Sequence, residues 1–242
     1  MRFTLEYPSE LAKPYMAIRQ WAQAVLRRAT DGTVGGHRMR IDLGELVTPG
    51  HTAVVTQECQ GAIVGDAGLK ALADEARRQA LPNIARLLTV ARAAGVSVVH
   101  CVVRRRPDGR GANHNATIFA FGAAGVDISP GSPGTQLVPE LDAQPTDLVL
   151  HRWHGIGPMG GTDLDSILRN LGVSTIVAVG VSVNVAITNL VMDAVNAAYR
   201  VVLPRDAVAG VPADYAGAMI DNTLSLLATI TTTDDLIEAW AH

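Results

Sequence analysis

TIVAVGVSVNVAITNLVMDAVNAAYRVVLP, residues Thr175–Pro204, is the stretch whose reading decides the fold. Thr175–Gly180 is a short, β-branched, apolar run that reads as a strand. A helical stretch follows from near Asn184 to Ala198, and a second strand-like run spans Arg200–Arg205. Two strands joined through a helix run in the same direction, so this segment is one unit of a parallel sheet.

The same alternation extends upstream to Thr52, with strands expected at Thr52–Glu58, Val96–Arg104 and Asp147–Arg152, and a short last one near Ile230–Thr233. Between them, Leu81–Ala94 carries Ile84, Leu87, Leu88 and Ala91 at helical spacing, with Pro82 near its start and Gly95 as its stop. Thr162-Asp-Leu-Asp165 reads as a helix start, with Thr162 as N-cap, and Gly172 ends that helix. A further helix is expected from Ala213 to about Ala228. The fold class that follows is α/β: a three-layer α/β/α, Rossmann-like domain with a mostly parallel sheet over residues 51–242. Residues 1–50 have little periodicity apart from Leu11–Arg28, and read as an N-terminal extension packed on the domain.

Composition narrows the function. Apolar residues make up 48% of the 242-residue chain and charged residues 18%, which excludes a largely disordered chain. The longest apolar runs fall well short of the ~20 residues of a membrane helix, and the first residues lack the apolar core of a signal peptide, so a cytoplasmic location without membrane attachment is expected. A net charge of -3 offers no general attraction to nucleic acid. The one basic cluster, Arg104-Arg-Arg106 with Arg110, reads as a solvated loop that is also able to hold an anionic substrate. Cys59 and Cys101 both fall in apparent strands, without disulfide or zinc spacing, and are expected as buried reduced thiols.

In an open parallel sheet, ligands bind beyond the carboxyl ends of the strands. Three segments meet there: Gln57-Glu-Cys-Gln60, His151-Arg-Trp-His154 and Val181–Ala186. The long Gly- and Pro-rich stretch from Pro107 to Pro145 is expected to cover that end and supply part of a pocket wall. Gly155-Ile-Gly-Pro-Met-Gly160 has the spacing of a dinucleotide loop, but Pro158 removes a cradle N–H and no acid ends the next strand, so it reads as a pocket-shaping loop with no cofactor. His151 and His154 have no third ligand at useful spacing, so no metal is expected.

The run Gly180–Val201 followed by Asp206-Ala-Val-Ala209 is similar to the signature of the isochorismatase-like hydrolases. So are Pro133-Gly-Thr135 with Leu137-Val-Pro-Glu-Leu141, and Gly161-Thr-Asp-Leu-Asp165 with Leu168 and Leu171-Gly-Val173. The resemblance covers about residues 52–235. It implies a site made of an acid after the first strand, a lysine after the third, and a cysteine opening the helix after the fourth, whose thiolate attacks a carbonyl in amidase members. Carried across, the acid falls on Glu58, through Glu58-Cys-Gln60. The lysine falls on Arg152 or Trp153, and the cysteine on Ala186, which has no nucleophile.

What the resemblance implies is therefore a small-molecule hydrolase without cysteine catalysis. Glu58, beside apolar Val55 and Ile63, is read as a general acid with a raised pKa that assists attack by water, and Arg152 or His154 as the holder of an anionic substrate. Ser182, Asn184, Asn113, Trp153 and His154 are the expected substrate contacts, with Asn184 also read as the N-cap of the helix carrying Ala186. Cys59 is set aside as a replacement nucleophile because strand alternation turns it away from Glu58, and Ser182 has no base assigned to it. Asp193 and Asp206 read as framework residues. Homo-oligomeric assembly is expected, as is common in the family. The competing reading is a non-catalytic relative that keeps the pocket for ligand sensing or as an oligomer subunit; turnover by the purified protein separates the two.

Overall fold

The computed structural model describes residues 42–123 and 126–241, and within them the side chains of residues 121–123 are left aside. The expected helix at Leu11–Arg28 lies outside the described residues.

Among the described residues, seven strands form one sheet: β1 (Thr52–Gln57), β2 (Ser97–Val103), β3 (Leu148–Arg152), β4 (Thr175–Val181), β5 (Arg200–Pro204), β6 (Val208–Ala209) and β7 (Thr229–Thr231). Their order is β3-β2-β1-β4-β5-β7, with β6 also on β4, and every pairing is parallel. The chain runs outward from β1 to β3, then returns to place β4 on the other side of β1. The β1/β4 boundary is thus the switch point at which crossovers leave in opposite directions. Central β1 and β4 are buried along their whole length, which suits their unbroken apolar runs.

Two apolar layers cover the sheet. On one face, Val54, Val98, Val177 and Val179 pack against Ile84, Leu87, Leu88 and Trp240. On the other, Val55, Val99, Ile176 and Ala178 pack against Leu164, Leu168, Leu190 and Val191. Full burial of each large aliphatic side chain contributes roughly 1.5–3 kcal/mol.

The sequence expectations match the strands to within a residue or two, with β6 unforeseen. It is too short to carry a pattern, yet it pairs with Gly180 and Val181 where β5 has already left β4. The Leu81–Ala94 helix begins much earlier than expected. α1 (Leu43–Leu46) precedes β1, α2 (Lys70–Glu75) passes through a π-turn, Ala76–Ala80, straight into α3 (Leu81–Ala93), and α4 (Thr117–Ala123) follows β2. Pro82 therefore lies inside a long helix, and the wide turn just ahead of it accommodates the missing N–H. Trp240, in a final helix the sequence did not flag, donates from Nε1 to the Val47 carbonyl at 2.8 Å, so the segment just before β1 packs into the domain.

Candidate active site

β1 ends at Gln57, and the chain turns at once. Glu58 adopts a φ of +55°, and its N–H still bonds to the Cys101 carbonyl of β2 at 2.9 Å. A left-handed conformation costs a residue with a side chain roughly 1–2 kcal/mol, and such strain is concentrated at functional sites. This turn also places Cys59 beyond the strand rather than in it. Its thiol lies fully buried in the opposite apolar layer, 3.7 Å from the Gln57 carbonyl, and burial together with nearby Glu58 and Glu140 pushes it up to about 12. Cys101, inside β2, is also driven to about 12, chiefly by burial. Both described cysteines are closed thiols.

Arg152, the last residue of β3, is only 4% exposed. Its Nη2 donates to Glu58 Oε1 at 2.7 Å, and its Nε donates to the Gly155 carbonyl at 3.2 Å. Its aliphatic stem lies against Gly161, where a Cβ would come within 2.9 Å of Cγ and 3.0 Å of Cδ. Gly161 belongs to α5 (Pro158–Gly161), a single turn before α6 (Leu164–Asn170). The third nitrogen, Nη1, is buried with no hydrogen-bond partner.

Of the two positions weighed for the basic residue after β3, Arg152 is the one that reaches Glu58. Trp153 is 40% exposed and lies under the Arg104 guanidinium, 5.7 Å from its ring centre. The environment of Glu58 is also not the apolar one suggested by Val55 and Ile63. Its Oε1 accepts from Arg152 and, at 3.3 Å, from Gln57 Nε2.

The remaining expected residues divide. Asn113 is committed to the protein: its Oδ1 accepts the Gly155 N–H at 2.7 Å, steadying the loop whose carbonyl holds Arg152. His154 is exposed. After β4, Ser182 is half-buried at the cap position of a π-turn, Val183–Ile187, which continues into α7 (Thr188–Asn196). Its carbonyl accepts the Val185 and Ile187 N–H groups, but its side chain makes no cap bond. Asn184 is therefore inside the first turn and is not the N-cap. Its Nδ2 donates to the Val211 carbonyl at 2.8 Å, and its Oδ1 is buried without a partner. Ala186, 4% exposed, lies in the same turn. The β1/β4 register sets Gln57 beside Gly180, which brings the two strand exits together.

The glycine-rich loop serves packing. A Cβ on Gly157 would collide with Asn189 Oδ1 of α7, so this glycine allows the loop to lie on that helix. The expected Thr162 cap is displaced by one residue: its Oγ1 accepts the Leu164 N–H at 3.1 Å, although Asp163 occupies the cap position. Among the described residues, no three His, Cys, Asp or Glu side chains group to hold a metal, and no helix is long and apolar enough to cross a membrane.

The sequence reading passed over Gln57 and Gly161. A polar residue at the end of an otherwise apolar strand was the available signal for Gln57. Gly161 opens the Gly161-Thr-Asp-Leu-Asp165 run of the family pattern, but that run does not reveal its role, which depends on a side chain from another strand.

The parallel sheet, with Glu58 and Arg152 meeting at the strand exits beside its switch point, is that of a three-layer, Rossmann-like α/β domain. The isochorismatase domain model matches residues 52–235, and the chain belongs to that family. It is 30% identical to the ureidoacrylate amidohydrolase RutB of Pantoea ananatis over 76% of this chain and 80% of the relative. The RutB of Rhizobium rhizogenes is 27% identical over 77% and 82%. Among solved structures, an isochorismatase family protein from Desulfovibrio vulgaris aligns with a TM-score of 0.68 at 26% identity, covering 79% of this chain and 98% of that one. The N-carbamoylsarcosine amidase of Thermoplasma acidophilum shares the fold, with a TM-score of 0.62 at 22% identity over 76% and 97% of the two chains.

Proposed function

We propose that this hydrolase cleaves the C–N bond of a small carboxamide or ureido compound, with water rather than a cysteine as nucleophile. The observation that carries the reading is the buried Glu58–Arg152 pair, held at 2.7 Å with Arg152 Nη1 still unpartnered, at the exit of β1. Ala186 stands where the family resemblance sets the cysteine, and the two cysteines present are buried thiols far up their titration range. Thiol chemistry therefore has no agent here. The RutB relatives named above are ureidoacrylate amidohydrolases, which favours an amide-type bond.

In this reading Glu58 takes a proton from water while the water oxygen bonds to the substrate carbonyl carbon. Arg152 Nη1–H stabilises the negative charge that develops on the carbonyl oxygen. The C–N bond then breaks, and the proton held by Glu58 passes to the departing nitrogen, giving a carboxylic or carbamic acid and ammonia or an amine. Glu58 is a general base in the first step and a general acid in the second, because the guanidinium beside it fits a carboxylate that accepts hydrogen bonds. Ser182, Trp153 and His154 are kept as substrate contacts in this reading.

Steady-state assays of Glu58→Gln against a panel of primary amides and ureido acids test the proposal. Turnover is expected to fall by about 10²–10⁴-fold, with the thermal midpoint nearly unchanged. Retained turnover removes Glu58 from the chemistry.

A further inference from the structure

Two buried glutamines, three residues apart, leave β1 in opposite states. Gln60 is fully engaged: its Nε2 donates to the Val103 carbonyl at 3.0 Å and to the Gly134 carbonyl at 2.8 Å, and its Oε1 accepts the Val103 N–H at 2.7 Å. That amide ties the strand exit to β2 and to the 130s loop. Gln57 is equally buried, with no exposed surface, but half of its amide is unused. Its Nε2 donates to Glu58 Oε1 at 3.3 Å, and its Oε1 is buried without any donor. The amide orientation follows from this contact, because the reverse would set two oxygens against each other. On β4, Gly180 packs directly on the Gln57 backbone, where a Cβ would collide with the Gln57 carbonyl oxygen.

A buried acceptor without a donor costs on the order of 1–3 kcal/mol, and native proteins rarely carry one without a use. Here a spare acceptor and a spare donor occur together. Gln57 and Arg152 both bond to the same carboxylate oxygen, so the two side chains that carry the spare atoms, Gln57 Oε1 and Arg152 Nη1, meet at Glu58. A carboxamide or ureide matches that pair, since it offers an accepting oxygen and a donating N–H on atoms bonded to one carbon. An ester offers only the oxygen.

We propose that Gln57 is a specificity-determining residue whose Oε1 accepts the N–H of the scissile amide, while Arg152 Nη1 donates to its carbonyl oxygen. The proposal rests on the hydrolase reading above. It assigns to Gln57 the discrimination between amides and esters, and leaves proton transfer to Glu58.

The test pairs two probes of one skeleton, succinamic acid and monomethyl succinate, with Gln57→Met, which keeps the length and removes the acceptor. For the wild type, kcat/KM is expected to favour the amide. In Gln57→Met the amide-to-ester ratio of kcat/KM falls about 10–100-fold. An equal fall for both probes overturns the proposal, because Gln57 then acts only by holding Glu58. No change for either probe overturns it as well. If Gln57→Met does not fold, Gln57→Asn withdraws the acceptor by one methylene and is expected to shift the ratio in the same direction. A wild type that turns over neither probe counts against the hydrolase reading, and calorimetric binding of both probes to Glu58→Gln then decides on Gln57. Preferential binding of the amide, abolished when Gln57→Met is added, supports the proposal; equal binding of the two probes overturns it.

Discussion

Strand β3 is bounded by two buried carboxylate–arginine pairs, and they differ in how completely they are satisfied. Just before the strand, Asp147 accepts Arg92 Nε at 3.1 Å, Arg92 Nη2 at 2.7 Å and the Gln144 N–H at 2.8 Å, with His100 Nε2 at 3.2 Å. Arg92 also donates to the Leu141 carbonyl, and His100 Nδ1 meets the Thr56 hydroxyl at 2.8 Å. Thr56, His100 and Asp147 form one hydrogen-bonded row, inside which Thr56 and His100 have no exposed surface. This cluster fastens β1, β2 and α3 to the entry of β3. At the strand's other end, Arg152 and Glu58 are joined by one strong contact and leave Nη1 and the neighbouring Gln57 oxygen unpaired. A saturated network stabilises the fold, whereas an unsaturated one keeps valences for a ligand.

The contrast predicts opposite consequences for the two carboxylates. Asp147→Ala leaves half-buried Arg92 with only the Leu141 carbonyl and removes the acceptor from His100, and is expected to cost about 3–5 kcal/mol in urea unfolding, while kcat of the folded fraction stays near wild type. Glu58→Gln reverses that pattern, as set out above. A stability loss from Glu58→Gln as large as that of Asp147→Ala would erase the distinction.

Gly161→Ala probes the site end without touching an ionisable group. The new methyl presses on the Arg152 stem, and a fall in kcat/KM of about tenfold is expected, with a destabilisation of about 1–3 kcal/mol. An unchanged kcat/KM would mean that the position of Arg152 does not matter.

Acid should expose the saturated cluster. Burial holds His100 below the ordinary histidine value, outweighing the upward pull of Asp147. The unfolded chain thus takes up this proton first, and the stability from the neutral ring, complete above about pH 6.5, is lost as pH falls through the lowered folded-state value. Urea midpoints between pH 7 and pH 5 are expected to decline less steeply for His100→Gln than for the wild type. Equal slopes would place the acid sensitivity elsewhere.

The smallest effect concerns α7. The α3 and α6 helices end with Gly95 and Gly172 in left-handed geometry, and α7 ends in the same bonding pattern with Ala198 at a φ of +66°. Ala198→Gly relieves that strain and is expected to stabilise the protein by about 0.5–1 kcal/mol in the same assay. Destabilisation would show that the alanine side chain contributes contacts that outweigh its backbone cost.

These residues also show what was legible before the structure. Short β-branched runs and apolar residues at helical spacing marked the strands and most helices, because such periodicities are local. Gly95 and Gly172 marked helix ends for the same reason. Glu58 and Ala186 stood out through the family pattern, while the choice between Arg152 and Trp153 stayed open: adjacent residues at a strand end differ only in which way the backbone turns them. The left-handed turn at Glu58 had no local signature. Asn184 looked like a cap by residue type, but the helix opened two residues earlier and its amide was drawn across to Val211.

By itself, the sequence determined the class of fold, its family and the absence of a thiol at Ala186, since these depend on residue identity and short-range order. Tertiary structure alone decided that Glu58 meets Arg152 across 94 residues, that Asp147 is saturated by Arg92 and His100, and that Gln57 keeps a free oxygen. Such partners are set by strand register and side-chain direction across the whole sheet, and no local stretch of chain carries that information.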